Sequence, residues 1–271
     1  MISIVKEYLN RLLDSHQKRP LVVGINGPQG SGKTTLTSFL SSPTVIAMSL
    51  DDFYLKFEEQ RKLSIENKSN ELLEWRGNPS THDMKLLQST LEALMNHQTS
   101  IKIPKYDKSL HAGKGDRLPE TEWIVQESSP EIILLEGWCL GFQSQSLMDL
   151  KEICEKNLID FNKMVRINRA LDAFQPIYCL FDAFIQIYTS DIQNVYHWRW
   201  EQEQSLKKRL GEDVGLTFEQ TKAFVDRFMP VYHIYLPELT SMGLKSIHEM
   251  LQIEIDADRQ VKGHQILKMM R

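Results

Sequence analysis

Gly27-Pro28-Gln29-Gly30-Ser31-Gly32-Lys33-Thr34, followed by Thr35, fits G-x-x-x-x-G-K-[ST] in full. The chemistry served by that spacing is the cradling of phosphate. Glycines let consecutive backbone N–H groups turn inward as a concave nest for phosphate oxygens. The N-terminus of the helix that follows adds partial positive charge. In such a loop Lys33 reaches the β- and γ-phosphates and the Thr34 hydroxyl ligates Mg2+. A chance glycine turn is the competing account, but pattern and strand-to-helix context are both met, so binding of ATP or GTP is expected.

Carboxylates stand where a phosphate loop could use them. Asp51 and Asp52 follow the apolar run Val45 to Leu50, and Glu136 follows EIILL. In a doubly wound sheet, ligands gather beyond the C-terminal ends of the strands. Asp51 is therefore the preferred base for an acceptor hydroxyl and a candidate ligand for Mg2+. Asp52 is the alternative, as base or as a group ordering a metal-bound water, and either could simply cap the segment DDFYLKFEEQ. Glu136 occupies the place of a Walker B acid, suited to bind Mg2+ through water or to position the acceptor; an ordinary strand-end carboxylate is the plainer account. Phosphoryl transfer also needs a cation on the transferring oxygens. WRWEQEQSLKKRLG supplies Arg199 between Trp198 and Trp200, whereas Lys207 and Lys208 fit a solvated helix face.

The elements that must position these groups are legible in outline. Residues 2–16 read as an amphipathic helix, LVVGIN as a buried strand, TTLTSFL as the start of a helix and 45–50 as a second strand. Strand, glycine turn, helix, strand is a βαβ unit and implies a parallel sheet. Residues 56–81 read as polar and irregular, Asp83 to His97 as a helix, and PKYDKSLHAGKGDRLPE as a loop. EIILLEG is a further strand, 145–157 a helical stretch, FDAFIQIYTS a fourth strand, and MLQIEIDADRQV a last strand and turn. From Asn194 to about Arg227 the chain is charged and helical with a break at Gly211. The expected fold is α/β: a P-loop NTPase three-layer sandwich with a mostly parallel sheet and a helical lid insertion. One kinase domain over 1–271, with a lid-like segment at about 194–227, is the economical organisation.

Bulk properties narrow the class. Apolar residues make up 41% and charged residues 25%, and the net charge is −4, so no global attraction to nucleic acid or anionic membrane is expected. Cys139, Cys154 and Cys179 form no C-x-x-C pair, which argues against a disulfide framework or zinc site. The N-terminus lacks the uninterrupted apolar core of a signal peptide, and the cytoplasm is expected. A GTPase would carry N-K-x-D; the nearest text, Asn67-Lys68-Ser69-Asn70, lacks the aspartate. A small-molecule kinase using ATP and Mg2+ remains, its partner a small-molecule acceptor, with protein partners undefined.

GPQGSGKTT, SLDDFY, RGNPSTHDMKLLQ, PKYDKS, GKGDR, LLEGWCLGF, NVYHWRWEQE and FVDRFMPVY occur in this order, and over about residues 20 to 240 the chain resembles the D-glycerate 3-kinase family. That family belongs to the wider group of phosphoribulokinase, uridine kinase and pantothenate kinase. The resemblance implies Mg-ATP as donor, a small hydroxylated metabolite as acceptor, Asp51 as base, Glu136 as the acid of the E-G motif and Arg199 as the lid arginine. The chain departs from the family in the lid turn, RLGEDVGLTFEQ, and at Trp200, where leucine is common. Glycerate is an anion, so its pocket should aim a cation at the carboxylate. Lys105, Lys108 and Arg117 are the collective candidates, followed by Arg76 and His82, with Tyr54 and Tyr106-Asp107 as groups for hydroxyls and Asp52 beside them. The alternatives are a kinase of the same machinery for another acceptor and a non-catalytic nucleotide-binding protein. Phe181, Phe184, Phe224 and Tyr232 read as core.

Overall fold

Runs of apolar, largely β-branched residues become the centre of the sheet. The computed structural model describes residues 1–15, 20–96, 100–211 and 215–268. In it α1 (Ile2–Ser15) is followed by β1 (Leu21–Asn26), α2 (Lys33–Leu40) and β2 (Val45–Ser49). Then come α3 (Phe57–Glu66), α4 (Met84–Met95), β3 (Ile101–Ile103), β4 (Tyr106–Asp107), β5 (Asp116–Arg117) and β6 (Ile124–Gln126). β7 (Ile132–Gly137) leads to α5 (Leu147–Lys156), α6 (Phe161–Ala170), α7 (Gln175–Tyr178) and β8 (Ala183–Tyr188). The rest is α8 (Asn194–Leu210), α9 (Phe218–Asp226), α10 (Met229–Met242), β9 (Glu249–Ile255) and β10 (Val261–Lys268).

The main sheet runs β10-β9-β8-β1-β7-β2. β2, β7, β1, β8 and β9 are parallel, and β10 pairs antiparallel along β9. β1 and β7 are buried at every position, as strands covered on both faces require. This is the expected α/β sandwich, and its buried cluster is continuous from Val5 in α1 to Ile255 in β9. β2 lies beyond β7, not beside β1, so the chain leaves β1 at a point where strand order diverges. Ligands bind at such a point in doubly wound sheets.

Several expectations need correction. The stretch 56–81 is not irregular: it holds α3 and a 3-10 turn at Glu71–Leu73. The Glu59 carboxylate accepts the Lys56 N–H at 2.9 Å, satisfying one backbone donor at the start of the helix. Only Gln60 and Leu63 of α3 are buried, so it shows almost no apolar periodicity. The 104–120 loop contains the hairpin β4–β5, and β10 extends the C-terminus beyond the strand expected there. The predicted helix ends at His16 and His97, and residues 212–214 of the lid turn, lie outside the described residues.

Gly24 in β1 marks the closest packing. A Cβ there would stand 2.6 Å from ring atoms of Phe181 and Phe184. Gly24→Ala is expected to destabilise the fold by about 1–3 kcal/mol, as overpacking does in a tight core. A lower urea midpoint at unchanged slope would show it.

Candidate active site

The phosphate loop leaves β1 through Asn26, whose buried amide donates to the Trp138 and Leu140 carbonyls at 2.9 and 2.7 Å. This ties the loop's origin to the end of β7. Gly30 has φ +81°, and a Cβ on it would meet the Trp198 Cβ at 2.5 Å, so only glycine fits. Lys33 is 7% exposed and folds back to donate to the Gly27 and Pro28 carbonyls at 2.7 and 3.0 Å. Its burial pulls the ammonium pKa down, while Glu136 and Asp51 oppose the shift. Gln29 N–H donates to the Tyr232 hydroxyl at 3.0 Å, so Tyr232, expected as plain core, pins the loop. Pro28 and Ser31 complete the turn through a 3.1 Å backbone bond, and the buried Ser31 hydroxyl has no partner.

In register, Glu136 lies opposite Ile25 of β1 on one side and Ser49 of β2 on the other. It is thus held directly beneath the loop, and its Oε1 accepts the Thr34 hydroxyl at 2.9 Å. Asp51 sits in a 3-10 turn, Leu50–Phe53, that begins as β2 ends. The Tyr54 hydroxyl donates to Asp51 Oδ1 at 2.7 Å, and Lys108 pairs with Oδ2. Burial alone would push the Asp51 carboxyl up; the Lys108 charge and both hydrogen bonds outweigh it and hold the group well below the usual carboxylate range. Asp52 points elsewhere, accepting from Lys105 Nζ at 3.1 Å and from the Tyr106 N–H at 3.2 Å. Its pKa is raised by burial, with Lys105 opposing. Asp52 therefore anchors the 105–108 segment, and Asp51 is the carboxylate whose partner besides Tyr54 is the half-exposed Lys108.

The acceptor-side loops are arranged around Tyr54. His82 stacks on it at 4.6 Å between centroids, and neither ring nitrogen of His82 has a hydrogen-bond partner among the described residues. Burial lowers the His82 pKa to about 4, against an opposing pull from Asp51. Arg117 is buried and largely committed, to Asp83 at 3.2 Å and to the Tyr54 carbonyl at 2.7 Å. Arg76 lies over the Tyr106 ring at 5.5 Å and donates to the carbonyls of Gly113, Lys114 and Lys108. Of the cations expected to face an acceptor carboxylate, Lys105 and Arg117 serve the scaffold, while Lys108 touches Asp51 itself. Asp107 turns back to Ser109 at 2.6 Å and does not join the cluster.

Arg199 lies on α8. It pairs with the buried carboxylate of Glu203, donates to Gln202 at 3.1 Å and rests over the Phe224 ring at 5.0 Å. Burial lowers its pKa, and Arg76 adds to the shift, which places the two guanidiniums within electrostatic reach. Glu203 also accepts the Leu216 N–H at 2.9 Å, tying α8 to the α8–α9 connection. Phe224 is half-buried against the core, as expected, and its ring also carries guanidiniums.

Sequence reasoning missed Arg259, in the β9–β10 turn. Its Nε donates to the Gly30 carbonyl at 2.7 Å and its Nη2 pairs with Glu201 at 2.7 Å. Trp198 completes the joint by donating to the Ala257 carbonyl at 2.6 Å. A cavity of about 440 Å³ opens here, lined by residues 30–36, with Thr35 among them, and by Met1, Ile2, Gln202 and Arg259. Arg259 has a φ of +62°, which a sequence does not display. Arg259→Ala is expected to weaken Mg-ATP binding about tenfold, the worth of one charge-assisted hydrogen bond. Titration with a fluorescent ATP analogue would read the change.

No cluster of three or more His, Cys, Asp or Glu side chains suited to a metal ion exists among the described residues. Thr34 with Glu136 nonetheless fits Mg2+, a hard cation that commonly takes one or two protein oxygens and completes its shell with phosphate and water.

The chain also has close relatives among known proteins, although no family model matches it. A Saccharomyces cerevisiae protein named "Probable ATP-dependent kinase TDA10" is 36% identical over 279 aligned residues, covering 96% of this chain and 93% of the yeast protein. The chloroplastic D-glycerate 3-kinase of Arabidopsis thaliana is 34% identical over 262 residues, covering 92% of this chain and 56% of the plant protein. The solved structure of D-glycerate 3-kinase from Cryptococcus neoformans var. grubii matches with a TM-score of 0.87 at 31% identity, over 98% of this chain and 97% of that one. With the yeast and Cryptococcus relatives matched over nearly their whole length and an intact phosphate loop between β1 and α2, the chain is an ATP-dependent kinase and belongs to the D-glycerate 3-kinase family of P-loop kinases.

Proposed function

We propose that the protein transfers the γ-phosphoryl group of Mg-ATP to a hydroxyl of a small anionic metabolite, with D-glycerate giving 3-phosphoglycerate. The observation that carries this reading is Asp51, held at the end of β2 between the Tyr54 hydroxyl and the Lys108 ammonium and near enough to Lys33 to act on its charge. A base beside the phosphate loop serves transfer to an acceptor; a protein that only binds nucleotide has no use for one. The D-glycerate 3-kinases of similar sequence and fold support glycerate as that acceptor.

In this reading Lys33 and the loop N–H groups of 27–34 hold the nucleotide phosphates. Mg2+, when bound at Thr34 with Glu136 or Asp51 nearby, neutralises charge on the phosphate oxygens. Asp51 accepts the proton of the acceptor hydroxyl as the new P–O bond forms. Arg199 balances charge on the transferring group, and Tyr54, Arg76, His82, Tyr106 and Lys108 surround the acceptor. One kinase domain spans the chain, with 194–227 as its lid. Cys139 and Cys154 are buried free thiols and Cys179 is an exposed one, which fits residence in the reducing cytoplasm, and no helix among the described residues is long and apolar enough to cross a membrane.

The test is ADP release from Mg-ATP with D-glycerate, L-glycerate, pantothenate, uridine and ribulose 5-phosphate offered singly. D-glycerate-dependent release, with 3-phosphoglycerate as product, is the expected result. Turnover of a different compound would replace glycerate and keep the kinase. Silence across the panel, with tight ATP binding, would favour a nucleotide-binding protein.

A further inference from the structure

Arg227 lies within the stretch FVDRFMPVY but is no site candidate by type or spacing, yet its charge is poorly compensated near the acceptor loops. It stands at the junction between α9 and α10, half-buried, with its guanidinium 5.0 Å from the Phe224 ring centroid and 5.8 Å from that of Phe228. Among the described residues no carboxylate lies within ion-pair distance of it, and its guanidinium donates no hydrogen bond. Glu74 acts on it only as a more distant charge. The adjacent Asp226 is already engaged by Lys222 at 2.8 Å and by the Tyr196 hydroxyl at 2.5 Å. Burial lowers the Arg227 pKa to about 10, and the charge of Arg76 adds to the shift. Arg199 shares the Phe224 ring with it, also at 5.0 Å.

The protein fixes this like-charge arrangement rather than relaxing it. The buried Asn78 amide donates to the Arg227 carbonyl at 3.1 Å and to the Leu72 carbonyl at 2.8 Å. A Cβ on Gly77 would meet the Phe228 ring at 2.5 Å, and the Gly77 carbonyl accepts the Trp138 indole N–H at 3.0 Å. The residues immediately after Arg76 are thus locked onto the backbone of Arg227 and the ring after it. Among the described residues Arg76 has no carboxylate partner either, and its guanidinium donates to carbonyls. Two guanidiniums on tied stretches of backbone, within electrostatic reach of each other and without a carboxylate partner among the described residues, one with all its N–H donors unused, make a site that an oxyanion completes. Both act on the Tyr54 phenol, whose hydroxyl is bonded to Asp51, so the oxyanion belongs on the acceptor's side of the base.

We propose that Arg227, clamped beside Arg76, binds the carboxylate of the acceptor and thereby selects hydroxy acids over neutral hydroxyl compounds. This deepens the proposed function and rests on its reading of an anionic acceptor. The other source of an oxyanion here is the phosphoryl group in transfer, and the kinetics separate the two.

The experiment uses the full chain as wild type, Arg227→Met, which keeps an apolar stem against Phe224 and Phe228, and Arg227→Lys. D-glycerate and its neutral amide serve as acceptors. The expected result for Arg227→Met is a KM for D-glycerate raised roughly 100-fold, as loss of a charge-assisted pair gives. Its preference for acid over amide should fall by a similar factor, with ATP-analogue affinity and melting temperature kept and partial rescue in Arg227→Lys. A fall in kcat with the KM for acid unchanged would assign the oxyanion to the phosphoryl group and overturn the proposal. Unchanged kinetics would leave Arg227 a structural cation on two rings and also overturn it. If the wild type prefers another hydroxy acid, glycerate is lost, and the same comparison on that acid decides the clamp. If it phosphorylates only neutral compounds, or binds no small acid with a non-hydrolysable ATP analogue present, the clamp is wrong whether or not the kinase reading survives.

Discussion

Asp51→Asn is expected to lower kcat by ~10²–10⁴-fold, the range general-base catalysis contributes. Asparagine preserves the shape of the side chain and can still accept from Tyr54, but it cannot take a proton from the acceptor. The fold should tolerate it, because the ammonium of Lys108 is more than half exposed and can turn to water once its carboxylate is gone. Mg-ATP binding should persist, since the loop and Lys33 are untouched. Rapid-quench measurement of the first turnover, beside titration of an ATP analogue, would separate chemistry from binding. A magnesium titration run on both proteins adds one distinction. An unchanged midpoint assigns Asp51 to the proton, whereas a weakened one assigns it to the metal. Full activity in the asparagine variant would remove Asp51 from the mechanism.

Arg199→Ala is the second large effect. If Arg199 meets the transferring phosphoryl group, its loss costs on the order of 10³-fold in kcat, the lower range for an arginine finger. The variant also strips the partner from Glu203, which is 2% exposed. An uncompensated buried carboxylate can cost several kcal/mol, so the single variant could lose activity by losing structure. Arg199→Ala with Glu203→Gln removes both charges and leaves an amide able to accept the Leu216 N–H. The double variant should regain melting temperature without regaining kcat. Recovery of activity along with stability would make Arg199 a scaffold residue.

The parts legible in the sequence are those whose chemistry is local. The phosphate loop declares itself because every residue from Gly27 to Thr34 answers a requirement of its own backbone and ligand. Asp51 and Glu136 are legible because a buried parallel strand that stops at a carboxylate points that carboxylate at the strand's C-terminal edge. The rest depends on partners far along the chain. Nothing near Arg117 predicts that Asp83 and the Tyr54 carbonyl will absorb it, and nothing near Arg227 predicts that they will not. α3 escaped notice because polar contacts hold it, Glu59 on the Lys56 N–H and the exposed pair of Glu58 with Arg61, not an apolar face. β10 is polar, half-exposed and antiparallel, so it lacks the hydrophobic run that reveals β1 and β7.

The joint at Arg259 has a consequence for how the protein is made. The bond from Arg259 to the Gly30 carbonyl spans 229 positions of sequence. Synthesis is vectorial, and a chain emerging from the ribosome offers its Walker motif long before it offers residue 259. Until then Gly30 lacks one wall, and the segment that needs Trp198 and Ala257 in contact has nothing to close on. Such non-local closure makes folding slow, and an unfinished parallel sheet with open edges invites aggregation. Nucleotide affinity should therefore be acquired only once β9 and β10 have emerged, in a single late step, and a nascent chain stalled before that hairpin should bind ATP weakly.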